Sequence, residues 1–239
     1  MFSYYGSKTN LVEFYPKPKM DTIIEPFAGS ARYSLRYFEK DVVLVDKYEV
    51  VIKIWKYLKQ CSPADILSLP RNFKETDHLR DLKWDCEEQL LLMGFLVGCG
   101  AEMPRNKVTR RKSTDRPNHV NFQIKRIAEN LFKIRHWKII HGDYRDIVNV
   151  PATWFIDPPY QWGGDKYVVG NRHIDFISLA AWCYARMGQT IVCENSKADW
   201  MAFHPIAKQR GSRYTTTEVL WTNERSIFEN RQQDLFKTA

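Results

Sequence analysis

Short apolar runs of three or four residues alternate with amphipathic segments along most of the chain. The runs are continuous rather than alternating, which is typical of parallel strands buried on both faces of a sheet. They cover residues 22–25, 42–45, 138–140, 153–156 and 190–193. Helical patterns cover residues 31–40, with Ser30 as the N-cap, then 50–58 and 175–187. This strand–helix rhythm predicts an α/β fold.

The rhythm breaks in the middle of the chain. Helical patterns at residues 84–97 and 120–134 flank a basic loop there, with no strand pattern between them. Near the C-terminus, alternation over residues 214–221 predicts an antiparallel strand that closes the sheet. The expected architecture is a doubly wound, mostly parallel sheet with one inserted, mainly helical subdomain. The expected boundaries are 1–60 and 138–239 for the core, and 61–137 for the insert.

Composition narrows the class of protein. The chain has 239 residues, of which 44% are hydrophobic and 14% aromatic, so a disordered protein is excluded. It has no apolar run of about eighteen residues and no signal-peptide pattern at its start, which predicts neither a membrane span nor secretion. Its five cysteines are scattered and lack C-x-x-C spacing. We therefore expect no disulfide framework, no metal site and a cytoplasmic location.

The positive charge is concentrated in one segment. The net charge is +8, and residues 104–135 alone hold ten basic and two acidic side chains. One interpretation is a solvated surface. The other is a loop that contacts the phosphates and base edges of DNA, since Arg and Lys are mixed there with Asn, Ser and Thr. The candidate DNA-binding residues are Arg105, Lys107, Arg110, Arg111, Lys112 and Arg116.

Two strand ends carry residues suited to ligand binding. The first predicted strand runs into Glu25-Pro-Phe-Ala-Gly29, where a glycine lets the backbone approach a ligand. The G-x-G-x-x-G fingerprint and the Walker lysine are absent, which favours a nucleoside or amino-acid ligand over a phosphate. A plain strand–helix connection is the alternative. Asp46 ends the next strand, where it would bind ribose hydroxyls or cap the following helix.

The second such end is Asp157-Pro-Pro-Tyr160, which follows a buried strand. Two adjacent prolines fix an extended corner and remove two N–H donors. The Asp157 carboxylate and the Pro158 carbonyl can therefore both accept hydrogen bonds from one amino group. Tyr160 is placed to stack on a planar ring, so the corner predicts chemistry on an amine attached to a ring.

These motifs resemble those of the Dam-type, or alpha-group, adenine-specific DNA methyltransferases. Asp157-Pro-Pro-Tyr160 is similar to their catalytic motif, and Glu25-Pro-Phe-Ala-Gly29 to their S-adenosylmethionine turn. The segment Phe2-Ser-Tyr-Tyr-Gly-Ser-Lys8 and the stretch His141-Gly-Asp-Tyr144 resemble further family motifs, in the same order. The sequence departs from the family at Ser30-Ala-Arg32, where further glycines are common.

The resemblance implies a Rossmann-like core that uses S-adenosylmethionine to methylate the 6-amino group of an adenine flipped out of duplex DNA. It implies that Asp157, Pro158, Pro159 and Tyr160 are catalytic. It implies cofactor binding by Tyr5, Gly6, Lys8, Glu25, Pro26, Phe27, Ala28, Gly29, Ser30, Asp46, Asp143 and Tyr144. Within that set, Phe27 would pack on the cofactor, Asp46 would hold its ribose and Asp143 its adenine amino group. Lys8 would contact the reaction centre or the cofactor carboxylate, or else lie on the surface.

Alternative functions share the same polarising corner. They are methylation of the 4-amino group of cytosine, methylation of RNA or of protein glutamine, and DNA binding by a methyltransferase core that has lost catalysis. The inserted basic loop and the order of the motifs favour adenine in duplex DNA. The likeness also implies a bacterial or phage-encoded protein.

Two peripheral segments carry hypotheses of their own. The tail residues Gln232, Asp234, Leu235 and Phe236 resemble a peptide that docks on bacterial sliding clamps, or else pack on the core. Tyr167 and Arg172 follow the Gly163-Gly164 pair and form either a lid over the flipped base or a plain surface loop.

Overall fold

The computed structural model describes residues 1–2, 4–8, 11–98, 100–108, 118–210 and 215–224. Seven strands form one sheet in the order β3-β2-β1-β4-β5-β7-β6. The strands are β1 (Thr22–Glu25), β2 (Asp41–Asp46), β3 (Lys138–His141), β4 (Ala152–Ile156), β5 (Gly188–Asn195), β6 (His204–Arg210) and β7 (Thr215–Thr222). Strands β1 to β5 pair in parallel, and β7 runs antiparallel to both β5 and β6. The predicted doubly wound, mostly parallel α/β sheet is confirmed.

Apolar side chains cover both faces of the sheet, which explains why the strand patterns are continuous. Ile23, Phe155 and Ile191 belong to a large core cluster on one face. Their chain neighbours Ile24 and Trp154 belong to a second cluster on the other face. The helices are α1 (Arg32–Arg36), α2 (Glu49–Gln60), α3 (Pro63–Leu67), α4 (Glu87–Gly98), α5 (Asn118–Asn130) and α6 (Phe176–Tyr184). In the described residues no helix has the length and apolar character needed to span a membrane.

The first helix differs from the prediction. It covers only Arg32–Arg36 instead of residues 31–40, and Ser30 is not its N-cap. The carboxylate of Glu25 accepts a hydrogen bond from the backbone N–H of Ser34 at 2.8 Å, so the end of β1 serves the start of this helix. Ser30 instead donates its hydroxyl to the side chain of Ser7 at 3.0 Å. The helix N-cap position is Ala31, whose φ of 46° is left-handed.

The far end of the sheet also differs. The predicted antiparallel strand is present as β7, but it lies between β5 and β6 and does not close the sheet. The edge strand β6 was missed, because Pro205 and several polar residues hide its strand pattern. A register shift between Pro205 and Ala207 accommodates the proline, as is usual for edge strands.

The middle of the chain is helical, as predicted, and it shares its core with the sheet. Trp137 lies 5.8 Å from Trp55 of α2, measured between ring centroids, and Phe2 lies 5.6 Å from Phe95 of α4. Helix α3 was not predicted, although Ser62 and Asp65 form a reciprocal capping box at its start.

A substitution at Gly188 tests the close approach of β5 to β4, because Gly188 begins β5 next to the backbone of Ala152. The φ of Gly188 is +94°, and an added Cβ would lie 2.4 Å from the backbone oxygen of Ala152. We expect Gly188→Ala to lower the free energy of unfolding by about 2–4 kcal/mol, because neither the φ angle nor the backbone clash can relax. Gly163→Ala is the matched control, since its φ is +88° but its Cβ would meet nothing within 4 Å.

Denaturant unfolding of both variants separates the two effects. The control should lose only about 1–2 kcal/mol, the cost of the left-handed conformation. Equal losses in the two variants would show that the contact with Ala152 contributes nothing.

Candidate active site

The two predicted strand ends lie side by side. Strands β1 and β4 pair in parallel, with Ile23 opposite Thr153 and Ile24 opposite Trp154. Sheet order reverses between these strands, and ligands of open α/β sheets bind at such a switch point. A cavity of about 890 Å³, including the space open at its mouth, lies at this edge.

Backbone groups of the glycine turn are held in place around Gly29. Its φ is +43°, and an added Cβ would lie 3.2 Å from the ring of Tyr4. Its N–H donates to Asp46 Oδ2 at 3.0 Å, and its carbonyl accepts from Trp55 Nε1 at 2.9 Å. The turn is therefore fixed by strand β2 and helix α2 before any ligand binds.

Asp46 lies just before α2 but does not cap it, because the N-cap residue of α2 is Tyr48, which has no side-chain cap. Asp46 Oδ1 accepts from the backbone N–H of Tyr48 at 2.8 Å, where α2 begins, and its carboxylate also lines the cavity. Binding of ribose hydroxyls by Asp46 stays a prediction. Burial raises the pKa of Asp46 to about 6, although the hydrogen bonds from the Gly29 and Tyr48 N–H groups act in the opposite direction.

Aromatic and acidic side chains lie together in the cavity lining. The rings of Phe27 and Tyr144 lie 5.4 Å apart, and Asp143 lies beside them in the lining. Arg145 Nε and Lys47 Nζ each lie 2.9 Å from a carboxylate oxygen of Asp143. Hydrogen bonds from Arg145 and then from Lys47 hold the pKa of Asp143 well below its usual range.

Lys8 reaches the proline corner at Asp157–Tyr160 and is buried, so the surface alternative is wrong. Its Nζ lies 3.4 Å from Asp157 Oδ1 and 3.2 Å from Glu218 Oε1. Burial works against the charged ammonium, but the two carboxylates raise the pKa of Lys8 above its ordinary value. Burial raises the pKa of Asp157 to about 6, although Lys8 acts in the opposite direction.

The four corner residues divide into two pairs. Asp157 and Pro159 line the cavity, whereas Pro158 and Tyr160 lie behind its lining. The Tyr160 hydroxyl donates to Glu218 Oε1 at 2.6 Å and also contacts Lys8 Nζ. Lys8 Nζ lies 4.1 Å from the centroid of the Tyr160 ring.

Glu194, which was not predicted, anchors the chain after the corner. It stands near the end of β5, fully buried, and its Oε1 accepts from the backbone N–H of Gln161 at 2.6 Å. Asn195 N–H and Trp200 Nε1 donate to the same carboxylate, at 2.8 and 3.2 Å. Burial raises the pKa of Glu194 to about 7.

All twelve residues predicted to bind the cofactor line the cavity. The lining also holds residues that were not predicted as site residues, among them Arg32, Lys47 and Tyr4. The lid candidate Tyr167 lines the cavity and donates its hydroxyl to the Tyr5 carbonyl at 3.2 Å, whereas Arg172 is exposed and outside the lining.

The predicted DNA-binding residues are only partly described. Arg105 and Lys107 are exposed, and Arg105 pairs with Glu102 at 3.1 Å. Lys107 forms an isolated antiparallel bridge with His78. Arg110, Arg111, Lys112 and Arg116 lie outside the described residues, as do the tail residues Gln232, Asp234, Leu235 and Phe236.

The model of one protein family matches the N-terminal part of the chain. It is described as D12 class N6 adenine-specific DNA methyltransferase, and it matches residues 4–89. That range holds Lys8, the glycine turn and Asp46. The resemblance drawn from the sequence is confirmed by this match, which supports an adenine-specific DNA methyltransferase enzyme and methyl transfer as its activity. No curated protein matches the chain.

Solved structures give a more distant likeness. The rRNA methyltransferase aviRa from Streptomyces viridochromogenes is 13% identical over 85% of this chain and 79% of that chain, with a TM-score of 0.35. A conserved hypothetical protein from Streptococcus pyogenes is 9% identical over 85% of this chain and 86% of that chain, with a TM-score of 0.34. At these values the likeness carries no argument about function.

Glu194 can be tested without touching the cavity. Glu194→Gln keeps the shape but leaves one oxygen to serve three N–H donors. We expect the free energy of unfolding to fall by about 1–3 kcal/mol, because a buried N–H loses its acceptor. Denaturant unfolding measures the loss. Exposed Glu13→Gln is the control, with an expected change within about 0.5 kcal/mol, and equal changes would contradict the anchoring role.

Proposed function

We propose that the protein transfers a methyl group from S-adenosylmethionine to the 6-amino group of an adenine swung out of duplex DNA. One observation carries the proposal: the glycine turn after β1 and the carboxylate of Asp157 after β4 line the same cavity. The glycine turn suits a nucleoside ligand. The carboxylate of Asp157 suits a hydrogen bond from an amine. A methyl donor and its target amine can thus meet at one point.

The residues around the cavity suit S-adenosylmethionine. The carboxylate of Asp46 lines the cavity and suits ribose hydroxyls, and the Phe27 ring suits the flat face of adenine. Asp143 would accept from the adenine amino group, and its two cationic partners keep it ionised for that purpose. The absence of a phosphate-binding glycine pattern agrees with a ligand that has no phosphate.

Asp157 is the residue that acts on the target amine. When bound, S-adenosylmethionine supplies an electrophilic methyl group, whose bond to sulfur breaks as the bond to the target nitrogen forms. The amine lone pair is delocalised into the adenine ring, and a hydrogen bond to Asp157 favours the tetrahedral nitrogen that aims it at the methyl. The same carboxylate stabilises the positive charge that forms on nitrogen, and that nitrogen then loses its proton to solvent.

Tyr160 and the helical insert supply contacts to DNA in this proposal. An adenine inside a duplex cannot reach the cavity, so it must leave the stack at a cost of a few kcal/mol. Tyr160 is not among the residues that line the cavity, so we propose that the flipped base stacks on its ring beside the cavity, while Lys8 and Glu218 hold its hydroxyl. We assign residues 61–137 to target recognition, with exposed Arg105 and Lys107 among its phosphate contacts. We also propose that the protein is cytoplasmic and that the tail residues Gln232, Asp234, Leu235 and Phe236 dock on a sliding clamp.

Removal of the Asp157 carboxylate tests the assignment. We expect Asp157→Ala to reduce methyl transfer to duplex DNA about 100- to 1,000-fold, the order found when electrostatic stabilisation of a transition state is removed. Its affinity for S-adenosylmethionine, measured by calorimetry, should stay within about fivefold, since Asp46 and the glycine turn are intact. Asp21→Ala is the control, because that carboxylate is 98% exposed and pairs with Lys40. Retained methyl transfer in Asp157→Ala would exclude the mechanism.

The pH dependence follows from the raised pKa of Asp157. The ionised carboxylate is the active form, so the rate should rise with pH and level off above the pKa of about 6. Single-turnover rates between pH 5 and 9 measure this rise. Saturating S-adenosylmethionine keeps the titration of Asp46, which would affect cofactor binding, out of the measurement. A rate independent of pH over this range would show that Asp157 ionisation does not control the chemical step.

A further inference from the structure

Glu218 is a buried acid that contacts Tyr160 of the proline corner directly and shares Lys8 with Asp157. It lies on β7, 5% exposed, opposite Asn195 of β5. Its Oε1 accepts from the hydroxyls of Tyr160 at 2.6 Å and Tyr15 at 2.7 Å. Lys8 Nζ lies 3.2 Å from Oε1 and 3.5 Å from Oε2. A buried carboxylate needs such partners, and here they are supplied by the site.

Charge balance gives these contacts a function. The Lys8 ammonium lies almost equally close to two carboxylates, with Nζ 3.4 Å from Asp157 Oδ1 and 3.2 Å from Glu218 Oε1. If Lys8 faced Asp157 alone, its positive charge would cancel the negative charge that the target amine needs. With Glu218 present, two carboxylates face one ammonium, so the ionised cluster keeps one net negative charge. That charge complements the positive charge formed on nitrogen during methyl transfer.

We propose that Glu218 is a positioning residue for methyl transfer, which holds the Lys8 ammonium and the Tyr160 hydroxyl so that the Asp157 charge stays available to the target amine. The inference rests on the function proposed above and deepens it. Glu218 acts through its neighbours, because it lies behind the cavity lining.

Several ionisable groups face Asp157, and a substitution at Glu218 changes only one of them. The closest are Lys8, from the N-terminal segment, and Tyr160, from the same loop, together with Glu218 from β7. The more distant ones are Glu25, Tyr15, Tyr167, Cys193 and Glu194. Burial and Glu218 both raise the pKa of Asp157, and Lys8 lowers it. Removal of Glu218 takes away one of the two raising effects, so the pKa of Asp157 should fall.

The test is Glu218→Gln, assayed by single-turnover methyl transfer to unmethylated plasmid DNA between pH 5 and 9. We expect the rate at pH 8 to fall roughly 10- to 100-fold, with affinity for S-adenosylmethionine within about threefold. The acid limb of the pH profile should move to lower pH, which a merely structural role would not produce. Glu218→Asp restores the charge and should return the acid limb towards its original position, with an intermediate rate.

Glu224→Gln is the matched control, since Glu224 follows the same strand and pairs with Lys19 at 2.8 Å, away from the cavity. Its rate should equal that of the wild type. If Glu218→Gln does not fold, the rate of Glu218→Asp is compared with that of the wild type instead. A rate of Glu218→Asp equal to that of the wild type then overturns the inference. A rate within threefold of wild type in Glu218→Gln, or a loss with an unmoved acid limb, also overturns it. Failure of the wild type itself to methylate DNA would instead reject the proposed function.

Discussion

The parallel pairing of β1 with β4 is the contact on which the site depends. It joins segments more than a hundred residues apart in sequence, and it places the glycine turn and the proline corner at one edge of the sheet. Neither segment alone makes the proposed site, because the first would supply backbone groups and a carboxylate to the cofactor and the second an acceptor to the target amine. The apolar side chains on both faces of the sheet hold this register, since a slip by one residue would exchange the two faces.

Electrostatics then decides what the paired strand ends can do. Asp157, Lys8 and Glu218 come from three separate parts of the chain and meet where water is largely excluded. Buried ion clusters are rarely a source of stability, because desolvation offsets their attraction. Their retention at this point is understandable if the cluster serves chemistry, where a fixed negative charge stabilises a cation that forms only in the reaction.

Much of the fold and the site could be predicted from local pattern, and the exceptions have physical causes. Continuous apolar runs marked the parallel strands, and the residue types at Gly29 and Asp157 marked the ligand edge. Glu218 could not be found, because a single acid within an alternating strand does not reveal which groups a distant strand brings to it. Likewise, the acceptor for the Ser34 N–H at the start of α1 comes from the end of β1, through Glu25, and not from the adjacent Ser30.

The identity of the methylated nucleoside tests the central claim most directly. Duplex DNA is incubated with the protein and S-adenosylmethionine carrying a labelled methyl group, then digested to nucleosides and separated by mass. The account predicts that the label appears in N6-methyladenine. Label in N4-methylcytosine, or in no nucleoside at all, would contradict it.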